Sequence, residues 1–562
     1  MTSATPDPVT HALTGVWPFI LILSTLLTLP VSVLLLWLYR RAVLHGMKAS
    51  RTTGLPPPVP VAGADAPTKP LQFVSLSAGA IRCARFPGPW RAAAVYLVAG
   101  SAYALIMTAA WYLATHDREI GPIKTLFLFW TFYWPAMLAV VVVVAKDRAQ
   151  RIWTILGYLA MYVALAGIEI ARSTEFGWQQ ATMFWIIENG PSTALLYLFL
   201  MRRIRSVGPL ILVIAIIALL GAQLAISFVG ASDEGMRMAV KIGAAFGLGG
   251  SGVFVATILA GLLLFGLLGW LVLRWIGARY SSKRFSDESL TVDVIFVLFA
   301  IIASVDLVFE HWIWMTTGLV ALVAYKIIAR LGFRLLPATS SPKRLLLLRV
   351  FALGKRSGPL FDGVRKVWLR GGPIAMIAGP DLVTSAVEPH EFLDFLSGKL
   401  GRTFVSDEAD LNRRAAAMDS RPDPDGRYRV TEFFCRADSW QPTMRRLVMA
   451  SDAVLMDLRS FSAFNQGCVY ELGRLLDTID LRRVLFVTDN RTDHGFLEAT
   501  LQLQWSQLAA DSPNRSAAEP AVRLFETHGP TAAELRVMIS YLGLGQRETD
   551  AAFRFRRQSQ DE

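Results

Sequence analysis

Cysteine is scarce in this chain. Cys83, Cys435 and Cys468 are too few for a disulfide framework and have no metal-ligand spacing. The seven histidines include no H-E-x-x-H pair, so no metal is expected. No phosphate-cradling loop of the G-x-x-x-x-G-K-[ST] type occurs either. Basic charge is missing where a nucleic-acid binder would need it. The net charge is +12, but residues 1–342 carry 26 Lys and Arg against 15 Asp and Glu, and the remainder carries 30 against 29. A nucleic-acid-binding protein concentrates its basic excess on a soluble domain. Nucleic acid is therefore excluded as a partner.

Apolar length is what the chain has in quantity. Hydrophobic residues make up 53% and the mean hydropathy is +0.42, too apolar for an ordinary soluble protein of this size. They are unevenly placed, with long runs such as Met137-to-Ala145 and Leu210-to-Leu220 all falling before Ser341. About 20 apolar residues cross a hydrocarbon core. Spans are expected near 15–38, 92–115, 123–145, 152–171, 182–201, 209–229, 248–273, 290–309 and 312–331. The first is not a cleaved signal, since no Lys or Arg precedes it and Arg40 and Arg41 follow it. Alternate loops carry 18 basic residues in one set and 5 in the other. Positive loops stay in the cytoplasm. The expected arrangement is an extracytoplasmic N-terminus (1–14), an all-α multi-pass domain (15–331), a cytoplasmic C-terminal domain (343–546) and a polar tail (547–562), located in the plasma (inner) membrane with the lipid bilayer as partner. Self-association stays open.

The first cytoplasmic loop, 39–91, contains Leu55-Pro-Pro-Pro-Val-Pro, a semi-rigid spacer. Leu71-to-Ala78 alternates as a short strand or an interfacial segment would. A solvated linker is the leading expectation for this loop, and docking on the C-terminal domain is the alternative. Within the spans, Glu188 and Asn189 precede Gly190 and Pro191, and Asp306 lies near Glu310 and His311. Interhelical hydrogen bonds or interface-reaching groups account for them better than conduction, because the carboxylates are few and scattered. Gly247-Leu-Gly249-Gly-Ser-Gly252 matches G-x-G-x-x-G, but no strand precedes it and a span follows, so close helix packing or a break is expected there.

From Lys343 short apolar runs alternate with amphipathic helices. Strands are expected at 345–351, 373–378, 428–435, 453–458, 483–488 and 522–525, and helices at 360–369, 389–400, 440–449, 466–478 and 531–544. The pattern predicts a mostly parallel, doubly wound α/β sheet. Ligands bind such sheets beyond the carboxyl ends of the strands. Candidate ligand-binding residues there are Lys355, Arg356, Gly379, Asp381, Asp457, Arg459, Phe461, Asn465, Gln466 and Gly467, with Glu471 as the candidate catalytic residue. On its helix Glu471 lies at the edge of an apolar stripe, half-desolvated at a pocket wall or paired with Arg474 on the surface.

Ser451-Asp-Ala-Val-Leu-Met-Asp-Leu followed by Asn465-Gln-Gly-Cys-Val-Tyr-Glu-Leu-Gly473 resembles nucleoside 2-deoxyribosyltransferases and their TIR-like relatives. The resemblance implies that Glu471 acts on the anomeric carbon of a ribosyl group and that Asp457 and Asn465 line the sugar or base site. It departs at Asn465, where an acidic residue is common, and at Cys468, where a small hydroxyl residue is common. Three functions follow as expectations. The first is a nucleotide or NAD sensor that signals to the membrane helices, or is anchored by them. The second is a membrane-tethered N-glycosidase or ribosyltransferase using Glu471, with NAD or a nucleoside as substrate. The third is a transporter or pore with a regulatory domain, the weakest because no internal repeat or pair of matched broken helices is present.

Overall fold

The computed structural model describes residues 8–48, 69–76, 89–116, 121–144, 148–172, 176–199, 208–230, 232–284, 286–308, 310–336, 342–350, 357–379, 400–418, 421–436, 438–527 and 529–543, with isolated positions between 379 and 400. The chain divides into two compact units. One holds residues up to Leu38 and from Pro89 to Leu336, and the other holds Tyr39–Gly88 and most of the chain after Pro337.

The first unit is helical. Its elements are α1 (Pro8–Lys48, to Leu38 in this unit), α2 (Trp90–Thr115), α3 (Pro122–Phe132), α4 (Trp134–Val144), α5 (Arg148–Arg172), α6 (Trp178–Phe199), α7 (Gly208–Gly230), α8 (Asp233–Ala245), α9 (Gly250–Ser281), α10 (Asp287–Val308) and α11 (Thr317–Arg334). Four helices are long and apolar enough to cross a membrane, and six spans result if each of two bent pairs counts as one. That is fewer than the nine crossings expected. Helices α6, α10 and α11 lie at predicted spans but are not among these; α10 carries Asp287, Glu288 and Asp293, and α11 carries Lys326, Arg330 and Arg334. The apolar surface is turned outward. Only 11% of the most apolar stretch of α9 is buried, and Leu263, Trp153 and Phe228 stand largely exposed. Apolar area of this extent is stable against lipid and not against water.

Polar groups in this unit are spent on joining helices. Helices α3 and α4 meet at a 45° bend. Pro135 has no N–H to offer the carbonyl of Thr131 one turn back. Asn189 Nδ2 donates to that carbonyl at 3.3 Å, and the Tyr158 hydroxyl donates to the adjacent Trp130 carbonyl at 3.1 Å. Asn189 thus serves as an interhelical hydrogen-bond donor. The side chain of Asp306 lies outside the described residues. A pairing not expected from sequence joins α10 to α11: Lys326 Nζ lies 2.6 Å from Asp293 Oδ2 and the Tyr325 hydroxyl donates to Oδ1 at 3.1 Å.

The second unit is an α/β domain around a seven-stranded sheet, every pair parallel, in the order β1-β7-β6-β5-β2-β3-β4. The strands are β1 (Gln72–Leu76), β2 (Leu345–Arg349), β3 (Ile374–Ala378), β4 (Val430–Phe434), β5 (Ala453–Asp457), β6 (Val484–Thr488) and β7 (Ala521–Glu526). The helices are α12 (Ser357–Trp368), α13 (Glu408–Ala416), α14 (Trp440–Met449), α15 (Gln466–Thr478), α16 (His494–Ser506) and α17 (Ala532–Gly543). Strands β2, β3, β5 and β6 are buried at every position, as strands covered on both faces must be. Leu346 and Leu348 pack with Leu447 of α14, Leu472 of α15 and Leu501 of α16. Leu345 and Leu347 pack with Leu360 of α12 and Met538 of α17. Helices α13 and α16 were not anticipated, and the predicted helix at 389–400 falls largely outside the described residues.

The first loop overturns the linker expectation. Strand β1 comes from it and pairs with β7 over five residues, Gln72 opposite Ala521 through Leu76 opposite Phe525. Trp505 Nε1 donates to the Lys69 carbonyl at 2.9 Å, and Lys69 Nζ donates to the Ala518 carbonyl at 2.8 Å. Leu71 enters one core of the domain and Leu76 the other. Without β1, the β7 edge would expose unpaired backbone groups. The end of α1 also belongs to this unit, with Tyr39, Val43 and Met47 buried. A Cβ on Gly46 would lie 2.6 Å from the Phe404 ring, and Phe404 bridges Phe434 of β4 at the opposite edge of the sheet. The Pro-rich stretch between these two anchors lies outside the described residues, as does the 547–562 tail.

Replacing Leu76 with Ala removes a buried anchor of β1 and should lower the stability of the α/β domain by about 2–3 kcal/mol. An unchanged melting temperature for that domain would show that β1 does not hold the sheet edge.

Candidate functional site

Connections leave β2 in one direction, through β3 to β4, and the chain then returns to β5 on the other side of β2. The C-terminal ends of β2 and β5 therefore flank the point where strand order reverses, the place where sheets of this kind bind ligands. Arg349 ends β2, Gly379 follows β3 and Asp457 ends β5. Lys355, Arg356 and Asp381 lie outside the described residues.

Asp457 and Arg459 form a buried bidentate pair. Arg459 Nε donates to Asp457 Oδ1 at 2.8 Å and Nη2 donates to Oδ2 at 2.7 Å, with both residues almost wholly buried. They brace the loop that leads to α15. Ser460, at φ +60°, donates its N–H to Asp489 Oδ1 at 2.9 Å, clipping this loop to the one after β6. Phe461 is fully buried, its ring 5.6 Å from that of Phe496, so it is core rather than ligand wall. Asn465 accepts the Ser462 N–H at 2.9 Å, holding its own loop. Gln466 is exposed and donates to the Ala463 carbonyl at 2.8 Å. Gly467 sits at the start of α15 near Trp440. Phe464, which sequence reasoning passed over, stands at the tip of this braced loop with 96% of its surface exposed.

Glu471 is buried more deeply than its place at the stripe edge suggested, being only 1% exposed. The ends of β2 and β3 close over it and leave a cavity of about 10 Å³ lined by Leu347, Leu348, Arg349, Met376 and Ile377. That is room for one water molecule at most. Its Oε2 has no hydrogen-bond partner among the described residues. Arg474 pairs with Asp477 at 3.5 Å and not with Glu471. Burial pushes the Glu471 carboxyl up from an ordinary 4.5 to about 8, against the opposing pull of the Arg349 charge. The nearby Cys468 thiol is also pushed up, first by burial and then by Glu471 and Asp457, which makes it inert as a nucleophile.

Arg349 was missed by sequence reasoning, which took it as part of an apolar strand. It is buried, with its guanidinium 5.6 Å from the centre of the Phe361 ring. The available signal was a charge closing a run of four leucines, since a buried arginine requires a partner. Among the described residues no three His, Cys, Asp or Glu side chains converge as a metal site. The site thus offers a protonated carboxyl facing an arginine, beside a loop locked by ion pair and hydrogen bonds. A search of protein families, characterised proteins and solved structures finds no match to this chain.

The raised carboxyl has a definite pH signature. Between about 4.5 and 8 the folded state holds a proton that the unfolded state has lost, so stability falls as pH rises through that window. Glu471→Gln removes the effect. The variant should match the wild type below pH 4.5 and exceed it by on the order of 5 kcal/mol above pH 8. Melting curves across this range check it, and a wild-type advantage at high pH would show that Glu471 is charged and paired when folded.

Proposed function

We propose that this chain is a multi-pass membrane protein with nine crossings, whose doubly wound cytoplasmic α/β domain binds a nucleotide or NAD-like ligand where strand order reverses and signals that binding to the helices. The observation that carries the ligand reading is the coincidence of Glu471 and Arg349 with the reversal between β2 and β5. A protonated carboxyl both donates and accepts hydrogen bonds, as recognition of a base edge or ribose hydroxyl requires. The same protonation weighs against the N-glycosidase alternative. Stabilising an oxocarbenium-like state needs a negative carboxylate, and the Asp457 carboxylate is already committed to Arg459.

The crossing number is supported by parity. Strand β1 precedes α2 and β2 follows α11, yet both belong to one sheet, so an even number of crossings must separate them. The six-span count places five between them, an odd number. Including α6, α10 and α11 makes eight. The asymmetry of 18 against 5 basic loop residues then directs the α/β domain to the cytoplasm of the inner membrane.

The test is to titrate the purified full chain in detergent with NAD, ATP and nucleosides while following binding and release of free base. Saturable binding without base release is expected, weakened about tenfold or more by Glu471→Leu, which removes the hydrogen-bonding group that Glu471→Gln would keep. Base release abolished by the substitution would establish the enzyme instead. Absence of binding to every compound would overturn both readings.

A further inference from the structure

Between the spans predicted at 209–229 and 248–273 a separate helix stands. Helix α8 has 13 residues, about 20 Å in length, and carries Asp233, Glu234, Arg237 and Lys241. It is too short and too charged to cross a hydrocarbon core of about 30 Å. Its neighbours α7 and α9, with 23 and 32 residues, are each long enough to cross. They pack backbone against backbone: a Cβ on Gly261 would lie 2.5 Å from the Gly221 carbonyl oxygen. Helix α8 therefore closes the end of a tight helical hairpin, and its axis is turned 107° from that of α7.

Both ends of α8 are capped by its own sequence. Ser232 Oγ accepts the Gly235 N–H at 3.0 Å. At the other end Leu248 N donates to the Gly243 carbonyl at 2.9 Å and Gly247 N donates to the Ala244 carbonyl at 3.0 Å, with Gly247 at φ +71°. The glycine run that imitates a dinucleotide loop is thus a helix stop followed by the first turn of α9. Gly243 holds α8 against Val253 of that turn. The four charges fall within about 100° of the helix circumference. Met236, Val240, Ile242 and Phe246 lie outside that arc and are all at least half exposed, Phe246 at 78%.

We infer that α8 lies in the plane of the bilayer surface, with Ile242 and Phe246 sunk into the boundary between headgroups and acyl chains and Arg237 and Lys241 in water. This rests on the reading of α7 and α9 as membrane spans. The occupant of the apolar face is lipid because α7 and α9 expose apolar residues on either side of it, Phe228 and Phe254 among them. The two acids and two bases cancel, so attachment depends on apolar area and not on anionic lipid.

Nitroxide labels on Arg237→Cys, Ile242→Cys and Leu263→Cys, each with Cys83→Ser in the full chain, test this in vesicles of phosphatidylcholine with and without phosphatidylglycerol. The expected result is oxygen contact at position 242 with several-fold less contact with a water-soluble nickel chelate than at 237, in both lipids. Equal chelate contact at 237 and 242 would overturn the proposal in favour of a helix standing in water. Shielding of 242 from both oxygen and chelate would overturn it in favour of a protein partner or a second copy. The label at 263, in the middle of α9, reports the membrane reading separately: chelate contact there would remove the span itself, whatever α8 does.

Discussion

The five-residue parallel ladder between β1 and β7 is the constraint on which the rest of the structure depends. A strand drawn from the first loop completes a sheet whose other strands lie more than 250 residues later. Backbone pairing of this kind cannot reach across a bilayer, because unpaired N–H and C=O groups are excluded from hydrocarbon. Everything between the two stretches must therefore leave the membrane on the side where it entered. The α/β domain is a composite of two parts of the chain. Its edges are held by β1 on β7 and by the end of α1 against Phe404 beside β4.

That composite nature bears on how the proposed ligand binding would reach the helices. Residues 39–48 are the end of α1, residues 69–76 lie between α1 and α2, and β2 begins 11 residues after α11 ends. A domain tied in sequence to the membrane unit at both ends is suited to report a change of state. The buried carboxyl of Glu471 is where a change could begin. It costs stability in proportion to its charge, so a ligand that supplies it with a hydrogen bond acts on a group the fold leaves short of partners.

Much of this architecture was legible in the sequence. The central strands, the Asp457 strand among them, read as continuous apolar runs because both faces are covered, and the helix of Glu471 reads from its apolar stripe. The position of Glu471 was legible and its depth was not, since closure by the ends of β2 and β3 is a tertiary effect that helical spacing does not carry. Strand β1 was legible as a strand, but its partner was remote in sequence. Helix α8 escaped because its charged face resembles loop composition. The Lys326–Asp293 pair escaped because each charge, taken alone, reads as a flaw in a span rather than half of a bond between α10 and α11. Phe461 was misplaced at the ligand wall because a loop aromatic and a core aromatic look alike until the chain folds back over Phe496.

The most direct test of the account is the sidedness of the two parts that build the sheet. Cysteines introduced at Lys48, exposed at the end of α1, and at Arg536, exposed in α17, can be labelled with a membrane-impermeant reagent in sealed, oriented vesicles. Labelling of both from the cytoplasmic side and of neither from the outside is predicted. Labelling of the two from opposite sides would contradict the β1–β7 pairing and the even number of crossings that it requires.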